Sequence, residues 1–163
     1  MNPQVDQSRP MIGPFMTTII TGMGGGLGAL ARWGVETMAT TGLGASAWIA
    51  TFTVNIIGSF LIGMVFTWLD PRFPRLNHVE LQLAELPEFR HWLSPIAITG
   101  GLGAFTTYSS FSLDTVHLIQ TGQTGTAIAS VALSLVFGLL AVIGGMRAGM
   151  HIWHEFPDRD KSV

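Results

Sequence analysis

The stretch TTIITGMGGGLGALARW, Thr17 to Trp33, supports two incompatible readings, and the fold follows from the choice between them. Thr21-Gly22-Met23-Gly24-Gly25-Gly26-Leu27-Gly28 fits a T-G-x-x-x-G-x-G phosphate loop, with the Thr/Ile run before it as the strand feeding a dinucleotide fold. The same residues fit a membrane helix with a glycine face. Gly22 and Gly26, and likewise Gly24 and Gly28, lie four apart and permit close helix contact.

Residues outside the stretch decide against the nucleotide loop. A short-chain dehydrogenase needs a Tyr-x-x-x-Lys pair, in which the lysine lowers the tyrosine pKa for proton transfer. Here the one tyrosine, Tyr108, has Ser112 four positions on, and the only lysine is Lys161. No alternation of strand and helix follows the glycines; another long apolar run does. Charged residues make up 11% of the 163, against roughly a quarter in soluble globular chains. Mean hydropathy is +0.45.

The few charges leave long gaps. None falls in Pro10 to Ala31, Thr37 to Leu69, His91 to Leu113, or Thr115 to Met146. Each gap holds the roughly 20 residues that a bilayer core requires. A single membrane domain over 1–163 is expected, with helices at about 14–38, 46–69, 92–119 and 124–147. The 70–91 connection is charged, and Val79, Leu81, Leu83, Leu86 and Phe89 suggest a short interfacial segment in it. The first span does not read as a cleaved signal, because MNPQVDQSRP lacks a net basic start. The absence of cysteine excludes disulfides and thiolate metal sites, and a net charge of -2 gives no footprint for nucleic acid.

Polar side chains inside lipid are costly unless satisfied, so their placement points to chemistry. Thr51, Asn55 and Ser59 recur every four residues in the second span, and Thr126, Ser130 and Ser134 repeat that spacing in the fourth, continued by Gly138. Each hydroxyl either bonds a carbonyl at a helix interface or faces a wet path. Asn55 brings two N–H donors without positive charge, which suits a small anion that must lose water, or else serves as interhelical glue. The third span, ITGGLGAFTTYSSFSLD, carries three glycines and a run of hydroxyls. Such sequence favours a broken helix near 100–107, tolerated in a membrane only where buried in protein or lining a wet cavity. Beyond it Tyr108 and Phe111 share a face, and aromatic ring edges carry partial positive charge. Arg32 and Glu36, four apart, either pair at the interface or leave Arg32 to concentrate anions at a vestibule. His151, His154 and Glu155 match no zinc protease pattern and read as an interfacial tail.

On GGGLGALARW, TVNIIGSFLIG and above all GGLGAFTTYSSFS, in that order, the chain resembles the CrcB/Fluc fluoride channel family over essentially its full length. The resemblance implies an all-α integral membrane protein of the plasma (inner) membrane, not an enzyme. It implies four transmembrane helices with a break in the third, working as an antiparallel dual-topology dimer with two fluoride pathways and a structural sodium ion at the dimer interface. Matching positions make Asn55 the pore asparagine, Arg32 the vestibule arginine, Tyr108 and Phe111 the aromatic pair, and Ser109 and Ser110 the hydroxyl track beside them. Backbone carbonyls of Gly103 and Thr106 would hold sodium; Ser130, Ser134 and Thr126 match the polar face of the fourth helix. The implied role is passive export of fluoride that enters as the weak acid. Fluoride is compact and strongly hydrated, so many weak donors suit it better than a fixed deep charge.

Four features depart from the family pattern, the long and charged 70–91 connection among them. Tyr108 stands where phenylalanine is usual, and Asp114 where glutamate is. Four spans put Arg9, Arg72, Arg75, Arg90, Arg147, Arg159 and Lys161 on one side, with at most Arg32 on the other, so the positive-inside rule predicts both termini in the cytoplasm rather than a balanced dual topology. The partner is then a second copy or a homologous, oppositely oriented subunit. Competing readings are a non-transporting membrane scaffold and a small multidrug-type transporter, for which Glu36 is the one candidate carboxylate.

Overall fold

A computed structural model describes residues 14–69 and 95–155, all of its regular structure helical. The expected interfacial segment within 70–91, and the start of the third span at 92–94, lie outside the described residues. Helix α1 (Pro14–Thr37) runs into a π-helical turn, Met38–Gly42, and ends at Gly44, whose φ of +65° a side chain would strain. Helix α2 (Ala47–Leu69) follows. The third span is assembled from a π-helical segment, Pro95–Leu102, a single turn α3 (Gly103–Phe105), and helix α4 (Tyr108–Gln120). Between α3 and α4 the backbone is extended, with ψ of 154° at Thr106 and 120° at Thr107.

Helix α4 closes in a Schellman turn. Gly122 N–H donates to the Ile119 carbonyl at 3.0 Å and Gln123 N–H to that of Leu118 at 2.8 Å, with Gly122 at φ +78°. Helix α5 (Thr124–Glu155) then runs for 32 residues, roughly 48 Å at 1.5 Å per residue. The expected end at 147 is therefore corrected to Glu155. A charge such as Arg147 ends the hydrophobic interval but not the helix, because its long stem lets the head reach water while the backbone continues.

Two helix pairs build the chain: α2 lies along α5, and α1 lies along the Pro95–Leu102 segment. Glycine sets both approaches. A Cβ on Gly145 would strike the Phe60 carbonyl, and one on Gly63 the Val142 carbonyl, while Phe52 meets Phe137 edge-on at 6.3 Å. In α1 the two glycine rows separate. Gly24 and Gly28 are buried against the backbone of Ile96 and Gly101, whereas a Cβ on Gly22 or Gly26 would meet nothing within 4 Å.

Among the described residues the buried apolar side chains are only Ala50, Val54, Phe105, Leu118 and Ala127, while Leu27 and Leu135 are each 69% exposed. A water-soluble chain does not leave its large side chains outside on this scale, so the exposed surface is one for lipid or for another subunit. By length and hydropathy, Ala47–Trp68 and Thr124–Ile152 qualify as membrane spans among the described residues. The other two expected spans are diluted by glycine and threonine, and one of them is interrupted; they rest on uncharged length instead.

Candidate functional site

The interruption of the third span creates an accounting problem in backbone hydrogen bonds, and the site is its solution. In a continuous helix the Thr107 N–H would bond the Gly103 carbonyl, and the Ser110 N–H that of Thr106. Instead Thr107 N–H donates to Asn55 Oδ1 at 2.8 Å, and Ser110 N–H donates to the Thr107 hydroxyl at 3.1 Å. Asn55 completes a two-point bridge, its Nδ2 donating to the Thr107 carbonyl at 3.0 Å. These two bonds also fix which way round the amide sits, since the peptide offers one donor and one acceptor. Of the two amide donors expected to serve an anion, one is thus engaged by the backbone and one N–H remains.

Helix α2 sets up this bridge. Asn55 lies one turn from Thr51, which is buried and donates to Asp114 Oδ2 at 2.6 Å, so one stripe of α2 grips the break and the following helix. Three positions after Asn55, Gly58 lets the break settle against α2: a Cβ there would collide with Thr106 Cγ2 and lie 3.2 Å from Phe105 Cδ1.

Thr107 is a hub that sequence reading alone does not single out. Buried itself, it caps the N-terminus of α4, and its hydroxyl also lies 3.2 Å from the hydroxyls of both Ser109 and Ser110. Thr107→Val is expected to lose about 1 kcal/mol of stability with the cap, while Thr107→Ser stays near wild type. Thermal unfolding in detergent measures this, and equal melting of the two variants would refute the capping role.

The remaining expected residues divide into two groups. Tyr108 and Phe111 do come together, with ring centroids 5.9 Å apart, and Tyr108 projects outward at 81% exposure. Ser130 is buried and donates to its own helix at the Ala127 carbonyl, 2.9 Å away. Thr126 and Ser134 are half-buried on α5, and among the described residues no hydrogen bond ties them to the Asn55–Thr107 bridge. Arg32 reaches the break from α1: its Nε donates to the Ala104 carbonyl at 3.3 Å, and its Nη1 lies 3.9 Å from Glu36 Oε1. Gly103 is exposed and Thr106 half-buried. A groove of about 630 Å³, lined by Thr17, Thr21, Gly22, Gly25, Gly100 and Gly103 among others, opens between α1 and the third span. Among the described residues no cluster of His, Asp and Glu could hold a metal ion; the side chains of His154 and Glu155 lie outside them.

The arrangement offers uncharged donors, one amide N–H and several hydroxyls, next to an aromatic pair at a helix break. Comparison with known proteins gives it a context. Residues 19–146 match the family described as CrcB-like protein, Camphor Resistance (CrcB). A protein of Acidobacterium capsulatum named fluoride-specific ion channel FluC is 40% identical over 130 residues, covering 80% of this chain and 93% of that one. Proteins of the same name from Francisella philomiragia and Magnetococcus marinus are 36% and 34% identical, covering 83% and 78% of this chain and 95% and 92% of their own.

Proposed function

This chain belongs to the CrcB-like protein family, and we propose that it forms a passive fluoride channel of the inner membrane, which exports cytoplasmic fluoride and so confers resistance to it. It is a membrane ion channel and not an enzyme. The observation that carries the reading is the Asn55–Thr107 bridge, which holds a helix break open beside the Ser109 and Ser110 hydroxyls and the Tyr108–Phe111 ring pair. Fluoride crossing lipid must exchange its water for many weak donors, and a deep fixed cation would trap it. Asn55, Ser109, Ser110, the two ring edges, and the α5 hydroxyls of Thr126, Ser130 and Ser134 make up the proposed pathway. Outward-facing Tyr108 and the open groove beside α1 favour a pathway completed by a second subunit.

That subunit is proposed to be a second, antiparallel copy, or a homologous chain inserted the other way. A structural sodium ion at the interface fits the carbonyls of Gly103 and Thr106, whose helical N–H partners are diverted to Asn55 and Thr107. Among the described residues Gly103 O keeps only a long contact from the Thr106 hydroxyl, at 3.5 Å. Carbonyl oxygens so weakly engaged suit a hard cation. When bound, the ion would supply positive charge that holds the two break regions together.

Purified chain reconstituted alone into liposomes is expected to release trapped fluoride, followed with a fluoride electrode, without matching loss of chloride. Absence of efflux from folded, reconstituted protein that also fails on co-expression with an oppositely oriented homologue would overturn the channel reading.

A further inference from the structure

Arg32 sits on α1 in series with Gly24 and Gly28, each four residues apart, and this row follows the third span toward its break. Gly24 and Gly28 lie against the backbone of Ile96 and Gly101; the next step along the row brings Arg32 Nε to the Ala104 carbonyl at 3.3 Å. With Thr106 and Thr107 extended, no helical turn carries the Tyr108 N–H back to Ala104. The carbonyl is therefore one of the orphans at a helix C-terminus, where a cationic donor both completes the hydrogen bond and opposes the helix dipole.

Glu36 continues the row by one more turn. Among the described residues its Oε1 is buried without a hydrogen-bond partner, and Arg32 Nη1 lies 3.9 Å away. That separation is too long for a hydrogen bond, yet it leaves an attraction that biases the guanidinium toward the break. We infer that Arg32 is a positioning residue for conduction: it caps the Ala104 carbonyl and so sets the geometry of the break, with Glu36 holding it in place. This rests on the channel reading but assigns Arg32 a different task from drawing anions to a vestibule.

The two tasks call for different side chains. Glutamine places a nitrogen donor on Cδ, where arginine has Nε, but carries no charge. Lysine keeps the charge and has a methylene at that position. A capping role predicts that Arg32→Gln conducts within about threefold of wild type, and that Arg32→Lys loses about tenfold. A steering role predicts the reverse order, and a loss that grows as salt is lowered. Glu36→Gln separates the roles by sign. Removing the carboxylate loosens the cap and lowers flux, whereas near a steering vestibule it removes repulsion and raises flux.

The experiment is fluoride efflux from liposomes for wild type and the three variants, each taken from the fraction that elutes with wild type in size-exclusion chromatography. Arg32→Gln above Arg32→Lys, with Glu36→Gln below wild type, supports the inference. Arg32→Lys at wild-type flux with Arg32→Gln lost, or Glu36→Gln above wild type, overturns it. If both Arg32 variants aggregate, the sign of the Glu36→Gln effect decides alone. No flux from wild type itself would sink the channel reading rather than this inference.

Discussion

Asn55→Leu is expected to abolish fluoride efflux. The amide satisfies both the N–H and the carbonyl of Thr107, so leucine leaves two part-buried backbone groups without partners, at about 1–3 kcal/mol each. That sum is a large share of the margin by which a typical domain stays folded. The remaining amide N–H, the proposed contact to the ion, disappears with it. Asn55→Asp supplies a graded control: a carboxylate still accepts from Thr107 N–H but cannot donate to the carbonyl, and it adds negative charge to the proposed anion path. Efflux and thermal unfolding, measured together, read the two effects. Wild-type efflux from Asn55→Leu would remove the bridge from the mechanism.

Gly28→Ala is expected to prevent folding, whereas Gly26→Ala leaves the fold of the chain intact. A Cβ on Gly28 falls on the Gly101 carbonyl, which belongs to backbone and has no rotamer to yield. Relief requires α1 to move off the third span, and with it the Gly24 contact and the reach of Arg32. Overpacking alone costs about 1–3 kcal/mol and here disturbs a whole helix pair. At Gly26 the added methyl meets nothing within 4 Å, and alanine favours the helix by about 1 kcal/mol over glycine. Monodisperse yield and melting in detergent distinguish the two. A Gly26→Ala chain that melts at or above wild type but fails to form the proposed dimer would locate the proposed second subunit on that face.

These two cases also mark how far the sequence is legible. Uncharged intervals locate the helices, because charge is excluded from lipid whatever the packing, but Arg147 misplaces the end of α5 because a snorkelling side chain does not stop a helix. The glycine rows at 22/26 and 24/28 have identical spacing, and only the neighbouring carbonyls of Ile96 and Gly101 show which row faces inward. Asn55 stands out as a polar residue in an apolar run. Its bond to Thr107 spans 52 positions, and no local pattern encodes a pair that far apart. Thr107 itself is hidden as one hydroxyl among several, although a threonine three residues before Ser110 at the start of a helix is a capping signal. Gly58 reads only as a small residue until Thr106 is found lying over it.

The distance between Asn55 and Thr107 along the chain has a consequence for the order of assembly. Before α2 docks, an interrupted third span would expose unpaired peptide groups to hydrocarbon, which the bilayer does not tolerate. A nascent segment through residues 95–120 is therefore expected to insert as an unbroken helix, with its own amides and carbonyls paired. Docking of α2 then offers Asn55 in exchange for the helical bonds, and only at that moment does opening the turn become inexpensive. The break is in this sense expected to be a product of tertiary contact, made late, so that a half-assembled chain holds no channel.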